Sequence, residues 1–301
     1  MTTIKSPKIL TGLLCIVSIF SLSAQTVLNG FFPKQNDLTI ASSYSFKSYD
    51  NFYMGESLTE SNPMGMGEIS SSIFSLYGEY GVSNWLSTTV TIPYVSTSNE
   101  GGIADPIIGE SEVEGVQDLS LFLKAKILEK KFENASKLSF GGATGITLPI
   151  GSYEAAGILS IGNGATAYDG CGFLQYTTAS NIFIELQAAY SLRNSSDFEV
   201  PNATMYSAKL GYYNKWFYAH AKVGVQNSLS GFDIGSQEFI AAGGAGALPE
   251  TEVDFANLYL DLYVPVYKNN FGISSGYAVN MEGRNYDRAS SFSLGLVYKT
   301  N

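Results

Sequence analysis

The sequence predicts an all-β fold: a transmembrane, up-and-down antiparallel β-barrel of twelve strands, with short periplasmic turns and longer extracellular loops. Three observations carry that reading. First, segments such as VDFANLYLDLYVPVYKNNFGISSGYAVNME (253–282) alternate strictly. Leu258, Leu260, Leu262 and Val264 fall on one side, and Asn257, Tyr259, Asp261 and Tyr263 on the other; a period of two is the signature of a strand with two unlike faces. Second, the connections between such segments are alternately long and short, the asymmetry of a membrane barrel. Third, the chain holds 31 Gly, 20 Tyr and 18 Phe but only 15% charged residues, against about 25% in soluble domains.

The N-terminus precedes the fold. Lys5 and Lys8 form a basic region, Ile9 to Leu22 is an apolar run, and Ser21-Leu-Ser-Ala24 offers small residues for cleavage before Gln25. Residues 1–24 therefore read as a secretory signal peptide, too short to span a membrane as a helix. Residues 25–36 read as a periplasmic N-terminal segment and 37–301 as the barrel. No later run reaches the roughly 18 apolar residues of a transmembrane helix. Cys171 is the one cysteine expected in the mature chain, which excludes an intrachain disulfide. Without Lys5 and Lys8, the 17 basic residues fall to 15 against 27 acidic ones, a formal charge of −12. An acidic chain with no basic patch is a poor nucleic-acid binder.

Taken in order, the period-two segments are 37–53, 67–82, 84–97, 116–128, 136–149, 166–179, 181–193, 202–213, 216–229, 253–267, 270–282 and 288–299. Most are 12 to 15 residues long, more than the 5–6 typical of soluble sheets and enough for a tilted bilayer crossing of about 9–11 residues with overhang. The odd-numbered connections are the long ones (54–66, 98–115, 150–165, 194–201, 230–252), except for the last, 283–287. The even-numbered ones shrink to Ser83, 129–135, Ser180, Asn214-Lys215 and 268–269. An even count leaves both termini in the periplasm. Tyr80, Trp85, Tyr212, Tyr213, Trp216, Tyr218, Tyr263 and Tyr267 lie near the short-turn ends, where an interfacial aromatic girdle belongs. Tyr298 in the last strand is the terminal aromatic that the barrel-assembly machinery reads, although Lys299, Thr300 and Asn301 follow it. The apolar face meets outer-membrane lipid of a Gram-negative bacterium, and the Tyr, Asn and Gly face meets a lumen.

Four segments carry a family resemblance: YGVSNWLSTTVTIPYV (80–95), GVQDLSLFLKAKIL (115–128), GGATGITLPIGSY (141–153) and GNGATAYDGCGFLQY (162–176). Together they resemble the outer-membrane barrels of the meta-cleavage phenol-degradation transporter-like family, whose members carry a G-[LV]-x-D-x-L-S-L strand start, an L-P-x-G-x-Y end and a G-x-G-x-x-D-Y-like stretch. Gly162 and Gly164 match the last motif, but Ala167-Tyr168-Asp169 puts the acid after the tyrosine. The resemblance covers about residues 80–176. It implies a channel for passive uptake of small hydrophobic or aromatic molecules, with no enzymatic activity and no cofactor.

The residues themselves offer several chemistries. His220, the only histidine, shares a face with Tyr218, Lys222 and Gln226. A barrel lipid esterase would need it beside a serine at the outer rim, whereas alternation puts it inside, close to the periplasmic turn. Gly272-Ile-Ser-Ser-Gly276 matches G-x-S-x-G in letters but lacks the strand–turn–helix elbow. Gly162-Asn-Gly164 likewise lacks the helix a phosphate loop needs. Asp105, Glu110, Glu112 and Glu114 form an acidic loop that reads as a solvated surface ahead of a calcium or magnesium site, and no metal is assigned.

Inward charge is carried by Glu79, Asp118, Lys124, Lys126, Asp169, Glu185, Lys209, His220, Lys222 and Asp261, and inward aromatic surface by Phe122, Phe173 and Phe183. These are the candidates for a solute pathway, with the phenylalanines as an apolar slide. The alternative is a non-transporting structural or surface barrel whose lumen is plugged by Lys124, Lys209 and Lys222 paired with Glu79, Glu185 and Asp261, within about 4 Å. Two further elements bear on access. The loop AAGGAGALPE (241–250) is apolar enough for a hatch over the outer mouth, and Phe31-Phe32-Pro33 has the bulk to plug the pore from below.

Overall fold

The computed structural model describes residues 28–60, 65–268 and 270–300; the signal-peptide reading of 1–24 lies outside the described residues. In chain order the strands are β1 (Leu38–Tyr49), β2 (Phe52–Met54), β3 (Ser57–Thr59), β4 (Ile69–Gly81), β5 (Leu86–Asn99), β6 (Glu112–Val116), β7 (Leu119–Lys131), β8 (Lys137–Leu148), β9 (Thr166–Thr177), β10 (Ile182–Asn194), β11 (Ala203–Tyr213), β12 (Tyr218–Ser228), β13 (Asp254–Tyr267), β14 (Phe271–Arg284) and β15 (Ser290–Lys299). Each long strand pairs antiparallel with its neighbours, β1 closes onto β15, and β4 pairs with both β1 and β5. The result is a closed ring. Closure leaves no unpaired strand edge, the condition for a sheet to sit in hydrocarbon.

β6 and β7 are two pieces of one barrel strand. β6 pairs with β5 as far as Tyr94↔Val116, and β7 resumes at Thr91↔Ser120. One extra residue is accommodated between them, a bulge beside Pro93. Proline has no N–H to donate to the ladder, although its carbonyl accepts from Gln117 N–H at 2.9 Å. The ring therefore counts twelve strands. Glu112 and Glu114, expected in a loop, lie instead in β6, because their charges mask the strand alternation there. The small β2–β3 hairpin sits in the first long loop.

Burial follows the alternation with its usual sign inverted. Along β10, Ile184 and Leu186 are 50% and 51% exposed, whereas Phe183 and Glu185 are 0% and 1% exposed. Exposed leucines beside a buried glutamate make sense when the surroundings are lipid and the polar partners are inside. Tyr80, Trp85, Tyr212, Trp216 and Tyr267 are exposed near the short-turn rim. Tyr218 and Tyr263 are fully buried, so these two belong to the lumen and not to the girdle. They fall on the face of His220 and Asp261, and parity decides the matter.

The wall's glycines have a packing role. Phe122 faces Gly145 across β7–β8, Phe173 faces Gly141 across β8–β9, and Phe183 faces Gly211 across β10–β11. A Cβ at those glycines would lie 2.2, 2.3 and 2.4 Å from the respective ring. Each ring thus packs against a neighbouring glycine, covering a bare stretch of backbone.

Candidate functional site: a lumen closed at both ends

The inward residues define the site. Glu79, Phe122, Lys124, Asp169, Phe173, Phe183, Glu185, Lys209 and His220 are buried within the ring, and Lys126, Lys222 and Asp261 are partly covered. Their charges pair along the wall. Glu185 and Lys209 oppose one another on β10 and β11, Oε1 to Nζ 2.8 Å. Lys124 on β7 reaches past β5 to Glu79 on β4, also at 2.8 Å. Lys222, however, does not pair with Asp261. Register sets His220 opposite Asp261, with Nε2 3.2 Å from Oδ2. Lys222 faces Tyr259, its ammonium 4.4 Å from the ring centroid. Asp169 lies opposite Ser191, and Lys126 binds Glu129 at the short-turn mouth.

Residues 28–33 fill the lumen from that same end. Asn36 N–H donates to Gly81 carbonyl at 2.8 Å, anchoring the segment's base beside the β4–β5 turn. Above it, Phe31 meets Phe183, Tyr213 and Tyr218 edge-on, with centroids at 5.1, 5.7 and 6.2 Å. Phe32 lies 5.9 Å from Phe173 and 4.7 Å below the Lys124 ammonium. Leu28 packs with Phe122, Cys171, Ala189 and Met205. The backbone is read as closely as the side chains. Lys124 Nζ donates to the carbonyls of Phe31 and Asn29 at 2.6 and 3.2 Å. Gly30 N–H donates to Glu185 Oε2 at 2.6 Å, and Gln187 donates to Leu28 carbonyl at 2.8 Å. Phe122, Phe173 and Phe183 are therefore covered by the chain's own N-terminal segment, so they line no open slide in this structure.

The opposite end is roofed by loops. The expected hatch, 241–250, lies mostly in a 3-10 turn (Gly244–Glu250) that follows a short helix (Gln237–Ala241). Phe239 is buried 6.0 Å from Phe232, and Gly157 N–H donates to Ala245 carbonyl at 3.2 Å. Arg284 clasps Asp233 through two bonds of 2.7 and 2.9 Å and reaches Glu252 at 3.0 Å. Those hydrogen bonds hold the Asp233 carboxyl below the usual carboxylate range. Burial pushes Glu252 up despite Arg284. In the adjacent loop, burial and then the bond to Asp118 push the Tyr153 phenol up. Asp105, expected on a solvated surface, is buried: its carboxylate accepts from the backbone N–H groups of Ile107, Ile108 and Leu159. No metal-binding cluster occurs among the described residues.

Beneath the roof lies a cavity of about 300 Å³ lined by Tyr49, Phe52, Ile158, Ile234, Phe239 and Leu248, among others. At the far end, an open mouth of about 570 Å³ is floored by Phe31, Phe32 and Pro33 and edged by Lys34, Lys126 and Lys137.

A family model described as "Putative MetA-pathway of phenol degradation" matches residues 76–281, more than half of the chain. The chain belongs to this family. Among solved structures, the phenol-degradation-family barrel is similar to an outer membrane channel from Pseudomonas putida F1 (14% identity, TM-score 0.67, covering 89% of this chain and 97% of that one). Lesser matches include the NanC porin (10% identity, TM-score 0.48, covering 87% of this chain and 100% of that one). The KdgM porin is another (8% identity, TM-score 0.46, covering 87% of this chain and 99% of that one). These likenesses are of fold. No curated protein matches the chain. A closed twelve-stranded barrel with an apolar exterior and charged interior is an outer-membrane protein. Its His220 sits at the short-turn end of β12, and its Nδ1 has no hydrogen-bond partner among the described residues.

The sequence missed Gly30, Gln187, Tyr213 and Tyr218 as contacts of the N-terminal segment. Gly30 carried no local signal: a Cβ there would lie 2.5 Å from Gln175 Oε1 and 2.9 Å from Glu185 Oε2, a constraint that exists only after folding.

Proposed function

We propose that this family member is a channel for passive uptake of small hydrophobic molecules, aromatic ones included. The observation that carries the reading is the chemistry of the roofed outer cavity. Its amide and threonine groups are already committed. Asn285 Oδ1 accepts from the N–H groups of Gly55 and Ile234, and its Nδ2 donates to Phe232 and Glu252 carbonyls. The Thr251 hydroxyl donates to Leu248 carbonyl. A solute entering there meets mostly apolar surface, with the Tyr49 hydroxyl as a remaining polar group. Each buried hydroxyl of a sugar would then cost on the order of 1–3 kcal/mol, while an apolar ring would lose nothing.

The test is flux into liposomes through the refolded protein, comparing a small aromatic with a sugar of similar size. Aromatic flux well above sugar flux supports the restricted channel, and equal fast flux points to a general porin. Removing the hatch residues 241–250 should raise aromatic entry; unchanged flux would sink the hatch as a gate. A second reading, a plugged barrel that transports nothing, is favoured by the filled lumen and its wall ion pairs, and absence of flux for both solutes would establish it. For assembly, Tyr298 is the residue we expect the barrel-assembly machinery to recognise.

A further inference from the structure

The N-terminal segment does more than occupy volume. Phe31 is surrounded by three rings, and its backbone carbonyl takes the shortest bond that Lys124 makes. An ammonium has three donors and no acceptor. At Lys124, which is 0% exposed, all three are used: Glu79, Phe31 carbonyl and Asn29 carbonyl. Were the segment to leave, two of those donors would lose their partners at the edge of the space that Phe31 and Phe32 now fill against Phe173 and Phe183. Such a pocket favours an occupant that restores both features: an aromatic ring for the cage and an oxygen acceptor for the ammonium.

We propose that Phe173, Phe183, Tyr213 and Tyr218, with Lys124 at their edge, form a binding site for a one- or two-ring aromatic molecule carrying an oxygen acceptor, and that Phe31 and Phe32 occupy this site as an internal competitor. The proposal rests on the hydrophobic-channel reading and gives it a site and a ligand class. A tethered competitor acts at high effective concentration, so the wild-type protein binds the solute weakly until the segment is displaced.

The experiment uses the full-length chain refolded in detergent micelles, with closure of the barrel checked by heat-modifiable gel migration. Binding of 2-naphthol is measured by equilibrium dialysis against protein-free micelles, with naphthalene as the acceptor-free control. Two variants vacate the site by different means. Phe31→Ala/Phe32→Ala removes the competing rings. Gly30→Val keeps them but places a side chain where only 2.5 Å is available. Each should bind 2-naphthol about tenfold tighter than wild type or better, from the loss of several ring contacts. In the double variant, a synthetic NGFFPK peptide (residues 29–34) should displace the naphthol, and Phe183→Ala should abolish the gain. Lys124→Met should erase the preference for 2-naphthol over naphthalene. Closed barrels of both variants that bind no better than wild type would overturn the proposal, as would naphthol binding unaffected by the peptide. The two readings fail separately. Absent flux with this binding pattern intact removes the channel and keeps the site; aromatic flux with unchanged binding removes the site alone.

Discussion

Replacing Lys124 by methionine tests the energetics of the closed lumen most directly. The substitution keeps most of the apolar stem and deletes a fully buried ammonium. Two consequences follow from its partners. The N-terminal segment loses the bonds at 2.6 and 3.2 Å to the Phe31 and Asn29 carbonyls. Hydrogen bonds to a charged group contribute about 1.5–3 kcal/mol each, so even the low end for two bonds is about 3 kcal/mol. That shifts the seated-to-released ratio of the segment about a hundredfold. Glu79, only 4% exposed, keeps the Ser87 hydroxyl at 3.3 Å but loses its cation. A buried ion stripped of its partner costs about 3–5 kcal/mol. Single-channel conductance in planar bilayers should therefore rise with Lys124→Met, and the urea unfolding midpoint should fall. Glu79→Gln/Lys124→Met should recover most of the stability while conductance stays high, because neutralising the glutamate relieves only the second cost and leaves the segment unanchored. A Lys124→Met protein with wild-type conductance and midpoint would refute the assignment of Lys124 as the anchor of the segment.

Three other outcomes are expected. Gly145→Val should destabilise the barrel by about 1–3 kcal/mol through overpacking, since its Cβ would lie 2.2 Å from the Phe122 ring. Phe122→Ala in the same chain should restore heat-modifiable migration. Leu186→Arg, on the lipid face at mid-strand, should cost about 2–4 kcal/mol in urea titrations, whereas Ser207→Thr on β11 should be nearly neutral. The roof should respond to acid. Asp233 is held below its unfolded value near 3.9 by Arg284, so its contribution is complete above about pH 4 and disappears as pH falls through the lowered value. An environment-sensitive dye at Ala242→Cys, in a Cys171→Ser background, should report an intact roof at pH 6 and a progressively looser one as pH is lowered below about 4. In Asp233→Asn the acid response should shrink to the part that Glu252 contributes through Arg284.

The alternation of leucine and polar residues along each strand was enough to count the strands, sort the loops and invert inside and outside, because a period of two is a local property of backbone geometry. Phe183 and Glu185 could be placed inward, and Ile184 and Leu186 outward, without knowing what any of them touches. Partnership was another matter. His220 and Lys222 lie on the same face two residues apart, and only the register of β12 against β13 decides that the histidine meets Asp261 while the lysine meets Tyr259. Alternation likewise overlooked β6, where Glu112 and Glu114 sit on a strand that carries no leucine beat.

By itself, then, the sequence determined a twelve-stranded barrel and which face of each strand meets lipid, since these follow from local periodicity and the solvent on each side. Only the tertiary structure decided that the lumen is closed by Leu28 to Pro33. That segment has no periodicity of its own; it is held by Lys124, Glu185 and Gln187, which lie from about 90 to 160 residues away along the chain. Contacts at that separation exist only once the ring has closed and brought β7 and β10 to face the same few residues.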